Sequence, residues 1–200
     1  YLRLSMYAYL NGKFTHKSPA QVTVDVNGIG FELNISLNTF SAIQNKDEGL
    51  LYTYLQVKED GHVLYGFFDK QEKEMFLLLI SVSGVGASTA RMMLSSMKAD
   101  EISKAILQGN VKLLESVKGI GKKTAERLVL ELKDKVNKNV TTSASTSKSM
   151  AVSIDEDALN AMIALGISKN VAEQTLQKIV SNEPHIGSLE ELLKKALRAI

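Results

Sequence analysis

Residues 6–68 alternate apolar and polar positions with a period of two. Val22, Val24 and Val26 interleave with Thr23 and Asp25, the pattern of a half-buried strand. Met6, Ala8 and Leu10 alternate with Tyr7 and Tyr9 along a first strand. Asn27-Gly28 predicts a hairpin turn, with residues 30–35 as the return strand. Residues 51–57 and 62–68 predict another pair around Glu59-Asp60-Gly61, and a short helix is expected near residues 37–43. Five short strands in a segment of this length predict a small closed barrel such as an OB-fold, with a sandwich as the alternative.

At residue 69 the period changes to that of helices. Residues 71–82, 88–97, 100–108, 111–116 and 122–136 read as five helices, with Asp100 as an expected N-cap. Gly84, Gly86, Gly109, Gly119 and Gly121 fall at the breaks. Met92, Met93 and Met97 are expected in the core. Residues 138–153 are Ser/Thr-rich without aromatics, and predict a flexible linker. Residues 155–165, 168–180 and 188–199 then predict three short amphipathic helices. Their expected core is Met162, Ile163, Leu165, Leu176, Ile179, Leu192, Leu193 and Leu197. The expected class is therefore α+β and multidomain: a barrel over 1–68, a helical domain over 69–137, a linker over 138–153 and a three-helix bundle over 154–200.

Composition narrows the chemistry. Of 200 residues, 44% are hydrophobic and 23% charged, the balance of an ordinary folded protein rather than a disordered one. There is no Cys, which excludes disulfides and thiolate metal sites. No apolar run reaches the roughly 18 residues of a membrane helix, and residues 1–6 lack the core of an export signal, so a cytoplasmic location is expected. Residues 1–5 read as an upstream extension or a remnant. His16, His62 and His185 are far apart and adjoin no nucleophile motif, so neither a catalytic residue nor a metal site is expected.

One repeat carries the chemistry. Shifted by 35 positions (119 against 84), the stretch from Ser81 to Ala90 lies on the stretch from Ser116 to Ala125, with Gly84/Gly119, Gly86/Gly121 and Thr89/Thr124 among the identical pairs. Each copy reads as helix, Gly-hydrophobic-Gly, helix. The glycines permit a sharp turn and a close approach of bare backbone, and the residue between them (Val85, Ile120) can plug the two helices together. The second helix of each copy then presents free N–H groups to an anion, most simply a phosphate. Lys122, Lys123 and Arg127 add charge beside the second copy. A dinucleotide fingerprint needs a preceding strand and a third glycine, whereas Thr89 and Thr124 stand at those third positions. A Walker A loop needs Gly where Ser116 stands and Ser or Thr where Lys123 stands. The alternatives left open are a protein-only scaffold whose glycines are structural, and a DNA-gripping accessory module of a nuclease or other DNA-processing enzyme.

This Gly-hydrophobic-Gly pair is similar to the helix-hairpin-helix signature of non-sequence-specific DNA-binding proteins. With its barrel, polar linker and three-helix tail, the chain resembles the RuvA family of bacterial Holliday-junction-binding proteins. The most specific residues are Lys58-Glu59-Asp60, Leu64-Tyr65-Gly66-Phe67, Lys70-Gln71-Glu72, both glycine pairs and the run from Gly119 to Leu128. The stretch from Ala161 to Gly166, followed by Ala172, is similar as well. The resemblance implies an OB-fold, two hairpins and a UBA-like tail. It implies a homotetramer, or an octamer on the junction, holding a four-way junction open and square. It further implies recruitment of the RuvB hexameric ATPase by the tail, with the RuvC resolvase as a further partner; ATP and Mg would be RuvB's, and the chain itself would need no cofactor. Glu59 and Asp60 match the family's acidic pin at the junction centre. Gly84, Val85, Gly86, Ser88, Gly119, Ile120, Gly121, Lys122, Lys123, Thr124 and Arg127 match its DNA-contacting hairpins. Ser88 departs from the family's usual Lys, and Arg91 is the expected substitute one turn along.

A net charge of +2 looks small for such a partner, but it is unevenly spread. Residues 67–140 carry a surplus of four positive charges, all of it between residues 112 and 138, around the second hairpin.

Overall fold

In the computed structural model, which describes residues 6–143, 150–182 and 188–199, the period-two segment closes on itself. The strands β1 (Tyr9–Ser18), β2 (Gln21–Val26), β3 (Ile29–Ile35), β4 (Glu48–Lys58) and β5 (Gly61–Phe67) form a closed barrel in the order β1-β2-β3-β5-β4. All pairings are antiparallel except β3 with β5, where Asn34 faces Tyr65 and Ile35 faces Gly66. The parallel closure is the OB-type solution rather than the sandwich. Its inward positions, Leu10, Phe14, Val22, Val24, Leu33, Ile35, Leu51 and Leu64, make one core with Ile43 from the helix α1 (Leu37–Ile43). At Gly66 the strands crowd, since a Cβ there would stand 2.7 Å from Leu33 Cδ2.

The first strand departs from expectation. It begins at Tyr9 and runs through Asn11-Gly12-Lys13 to Ser18, with its register shifting between Phe14 and His16. That irregularity breaks the alternation from which a strand is read. The second strand pair ends where Lys58 faces Gly61, leaving Glu59 and Asp60 as an exposed two-residue turn.

Five helices follow: α2 (Lys70–Ile80), α3 (Ala87–Ser96), α4 (Ala99–Leu107), α5 (Val111–Glu115) and α6 (Lys122–Ser143). Asp100 is not the N-cap of α4. Lys98 is, and the Glu101 carboxylate accepts its N–H at 2.8 Å, while Asp100 pairs with Lys104 one turn along. Met93 and Met97 are buried as expected, but Met92 lies on the outer face of α3 and is exposed. The helix α6 continues to Ser143 and α7 begins at Met150, so backbone expected as linker is helical at both its ends. Residues 137–153 contain neither Gly nor Pro, so nothing in them forces a helix to stop. The centre of that expected linker, residues 144–149, lies outside the described residues.

Barrel and helices share a core. Phe76 of α2 packs its ring against Phe67, Tyr65 and Tyr54 of the barrel, at centroid distances of 4.9, 5.1 and 5.5 Å. Polar ties add direction. Asn38 donates to the Leu94 and Met97 carbonyls, the Leu37 N–H donates to Ser95, and Arg91 donates to Asn34 Oδ1 and the Ala20 carbonyl. Each such bond contributes about 1 kcal/mol net, whereas burying one phenylalanine contributes about 2–3 kcal/mol. The five bonds together are thus comparable to the buried rings; the rings bind the two parts without direction, and the polar ties orient them.

Contacts divide the chain into two compact units that meet at Thr141 and Thr142. The second unit contains α7 (Met150–Ala164), α8 (Lys169–Asn182) and α9 (Leu189–Arg198). Its core is Ala158, Met162, Ala172, Leu176, Leu192 and Ala196, with Ile179 and Leu193 half-buried against it. Three residues expected there are exposed instead: Ile163, Leu165 and Leu197. Ile163 and Leu197 directly follow the buried Met162 and Ala196, so the helical period turns them outward, and Leu165 lies past the end of α7.

Candidate nucleic-acid interface

The 35-residue repeat is a structural repeat down to single hydrogen bonds. The Val85 N–H donates to the Val82 carbonyl at 3.1 Å, and Ile120 N–H to the Val117 carbonyl at 3.0 Å. Ala90 N–H reaches the Gly86 carbonyl at 2.9 Å, and Ala125 N–H the Gly121 carbonyl at 3.0 Å. The hydroxyls of Ser81 and Ser116 each back-bond three residues, both at 2.7 Å. Val85 and Ile120 are buried plugs between the helices of their hairpins.

The two copies face each other reciprocally. A Cβ at Gly84 would stand 3.8 Å from Thr124 Oγ1, and a Cβ at Gly119 would stand 3.8 Å from Thr89 Cγ2. Each first glycine thus meets the threonine of the other copy, the signature of a local two-fold relation. Arg127 crosses the same boundary: its Nη1 donates to the Ser83 carbonyl at 3.3 Å, and its Nε lies 3.7 Å from Glu131.

The glycines of each pair have different reasons to be glycine. Gly84 and Gly119 have φ of +94° and +95°, a conformation that other residues rarely adopt. Gly86 has φ −83°, which any residue can take, and a Cβ at Gly86 or Gly121 would meet nothing within 4 Å. The fold itself does not ask for glycine at the second positions. Both are exposed and both open a helix whose first N–H groups lack intrahelical partners; at α3 no side chain caps them. Bare backbone at such a place suits the close approach of an external anion.

The expected side chains fall on this surface unequally. Lys122 and Lys123 are exposed in the first turn of α6, with no ion pair among the described residues, and Thr124 is half-buried behind them. Ser88 is exposed in the first turn of α3. Arg91 is turned to the barrel by its two hydrogen bonds, as Arg127 is to Ser83. The first cradle is therefore nearly neutral and the second basic. Glu59 and Asp60 sit at their own exposed tip of the barrel. Among the described residues no group of three His, Asp or Glu is placed to hold a metal ion.

A small closed barrel joined to two mutually facing Gly-hydrophobic-Gly hairpins defines a class of DNA-binding protein. Comparison with known proteins narrows the class. Residues 6–66 match the family model described as the RuvA N-terminal domain, and residues 76–134 match that of the SAM-like helix-hairpin-helix tandem. Relatives named Holliday junction branch migration complex subunit RuvA are similar over nearly their whole length. That of Cytophaga hutchinsonii is 47% identical, over 96% of this chain and 99% of its own. That of Christiangramia forsetii is 46% identical, over 98% and 100%, and that of Bacteroides thetaiotaomicron 43%, over 98% and 100%. The chain belongs to the RuvA family.

Proposed function

We propose that this protein binds four-way DNA junctions by their shape, as a homotetramer, and is the non-catalytic subunit through which a RuvB-type ATPase is recruited for branch migration. The observation that carries the reading is the reciprocal pair of hairpins, with Thr124 against Gly84 and Thr89 against Gly119. Two phosphate cradles related by a local two-fold fit the two strands of one duplex arm, and four copies would serve four arms. Phosphate contacts of this kind position a protein without reading sequence.

On this reading the backbone at Gly84, Val85 and Gly86, with the Ser88 hydroxyl, holds one strand. The backbone from Gly119 to Gly121, with Lys122, Lys123 and Thr124, holds the other. Arg127 lends its charge from beside Ser83, whereas Arg91, held to the barrel by its two hydrogen bonds, lends charge to the first hairpin only at a distance. Glu59 and Asp60 would meet their symmetry mates at the centre, where like charge repels phosphates and favours separated strands entering the arms. In the C-terminal unit the exposed Ile163, Leu165, Val171 and Leu197 are the candidate apolar contacts for the ATPase. ATP and Mg belong to that motor, and this chain needs no cofactor. A RuvC-type resolvase is the further partner, and the cytoplasm is the proposed compartment. Among the described residues no helix is long and apolar enough to cross a membrane.

The test is a gel shift with a synthetic four-way junction against linear duplex of equal length, at fixed salt. The junction should shift at protein concentrations that leave the duplex free. Equal affinity for the two would overturn the reading.

A further inference from the structure

Glu72 is a buried carboxylate that the proposed DNA contacts do not use. It stands in the first turn of α2, where the chain passes from barrel to helices. Its Oε1 accepts the hydroxyl of Ser36, the N-cap of α1, and its Oε2 accepts the Thr39 hydroxyl from the first turn of α1 at 2.5 Å. Each hydroxyl is itself committed: Ser36 Oγ accepts the Thr39 N–H at 3.0 Å, and Thr39 Oγ1 accepts the Phe68 N–H at 3.0 Å, an N–H that also reaches Glu72 Oε2 at 3.4 Å. Ser36 and Thr39 are as buried as Glu72, and no cation pairs with the carboxylate among the described residues.

Every proton in this cluster points one way. Two backbone N–H groups donate to two hydroxyls, and the two hydroxyls donate to the two carboxylate oxygens. The start of α1, the exit of β5 and the start of α2 are thereby bonded to one planar group. A carboxylate buried without a counter-ion is a poor source of stability, and an apolar side chain of similar size does as well or better. What it supplies is direction, because two acceptors at a fixed angle select one placement of three elements.

That placement lies on the covalent path between the acidic turn and the first hairpin. Strand β5 leads from Gly61 to Phe67, and α2 leads from Lys70 to Ile80, four residues before Gly84. An 11-residue helix is roughly 16 Å long. A tilt of about 10° at Glu72, eight residues from Ile80, would move that far end by roughly 2 Å, enough to break a hydrogen bond there. We propose that Glu72 is a positioning residue: with Ser36 and Thr39 it fixes the angle between the barrel and the paired hairpins, and so sets the preference for a four-way junction over linear duplex.

The preference itself rests on the reading in the preceding section; the angle does not. Because the chain has no Cys, His62→Cys and Glu126→Cys place two spin labels, one beside the acidic turn and one on α6. With labelled chain diluted into unlabelled protein, Glu72→Leu should shift or broaden the distance distribution by a few ångströms. An unchanged distribution overturns the proposal whether or not junctions are preferred. In gel shifts with otherwise native protein, Glu72→Leu should lower junction affinity about tenfold while duplex affinity changes less than about twofold, with Glu72→Gln between it and the parent. The aromatic cluster should keep these variants folded, with cooperative melting and unchanged assembly mass. Parallel loss of both affinities, a junction loss that tracks loss of assembly, or an unchanged ratio would each overturn the proposal. Should the leucine variant fail to fold, the isosteric Glu72→Gln decides on the same two readouts.

Discussion

Arg127, on the second hairpin, is bonded to the carbonyl of Ser83 in the turn of the first. One of the three cations clustered at the repeat is therefore already engaged within the molecule, while Lys122 and Lys123 face solvent. Replacing both lysines by alanine should weaken DNA binding and flatten its salt dependence by roughly one to two counterions per subunit. Arg127→Ala should flatten it less and instead lower the unfolding free energy by about 1 kcal/mol, through the lost tie. Binding measured at several salt concentrations, with denaturant unfolding alongside, separates the two; an unchanged slope in the lysine variant would favour a scaffold whose glycines are purely structural.

The glycine pairs should separate folding from binding. Gly84→Ala or Gly119→Ala forces a side chain into left-handed backbone and should cost about 1–2 kcal/mol of stability. Gly86→Ala with Gly121→Ala meets open space, and each change should cost no more than about 1 kcal/mol, the difference between glycine and alanine at a helix cap. Yet the second pair should lose most DNA affinity, since its methyl groups stand where phosphate would approach. Thermal melts and gel shifts on the same samples check this, and full affinity in the Gly86/Gly121 variant would place the DNA elsewhere.

Removing the acidic turn should not remove binding. Glu59→Ala with Asp60→Ala takes away exposed like charge, so junction affinity should hold or rise while motor-driven branch migration changes. Gel shift and a strand-exchange assay with the ATPase give the two numbers. Complete loss of binding would contradict a role at the junction centre.

Glu72 also makes a pH prediction. Burial raises its pKa above the ordinary carboxylate range, against the opposing hydrogen bonds from Ser36, Thr39 and the Phe68 N–H, and with a smaller push from the neighbouring Asp69. Lys98 and Asp100 line the cleft on the α4 side. A carboxyl with a raised folded-state pKa binds its proton more tightly folded than unfolded. Its contribution to stability is fully present below the unfolded value and is lost as pH rises through the folded one. The stability of the native protein minus that of Glu72→Gln should therefore decline from acid toward neutral pH in urea titrations. A difference that grows with pH would mean that the hydroxyl bonds outweigh burial.

How much of this was legible in the residues depended on local signals. The alternation of Val22, Val24 and Val26 and the repeat of Gly84 at Gly119 announced strand and hairpin directly, because each is a short-range pattern. The strand β1 was partly hidden, since its bulge near Phe14 scrambles the alternation. Ile163, Leu165 and Leu197 looked like core because apolar character says nothing of which face a short helix turns inward. The commitments of Arg91 to the barrel and of Glu72 to α1 span 57 and 36 positions, and no local pattern announces them. A resemblance to a family marked Glu72 as characteristic, but only the geometry gave it a task.

The ring of Phe76 has a consequence for how this chain can be divided. Its neighbours Phe67, Tyr65 and Tyr54 belong to the barrel, so the shift from period two to helical period at residue 69 is a boundary of pattern and not of matter. A chimera spliced there would inherit half of an aromatic cluster from each parent and would have to match rings across the seam. Spliced near Thr141, it would carry each core whole. The barrel and its hairpins are thus one heritable part, exchanged together or not at all, and the C-terminal helices are another.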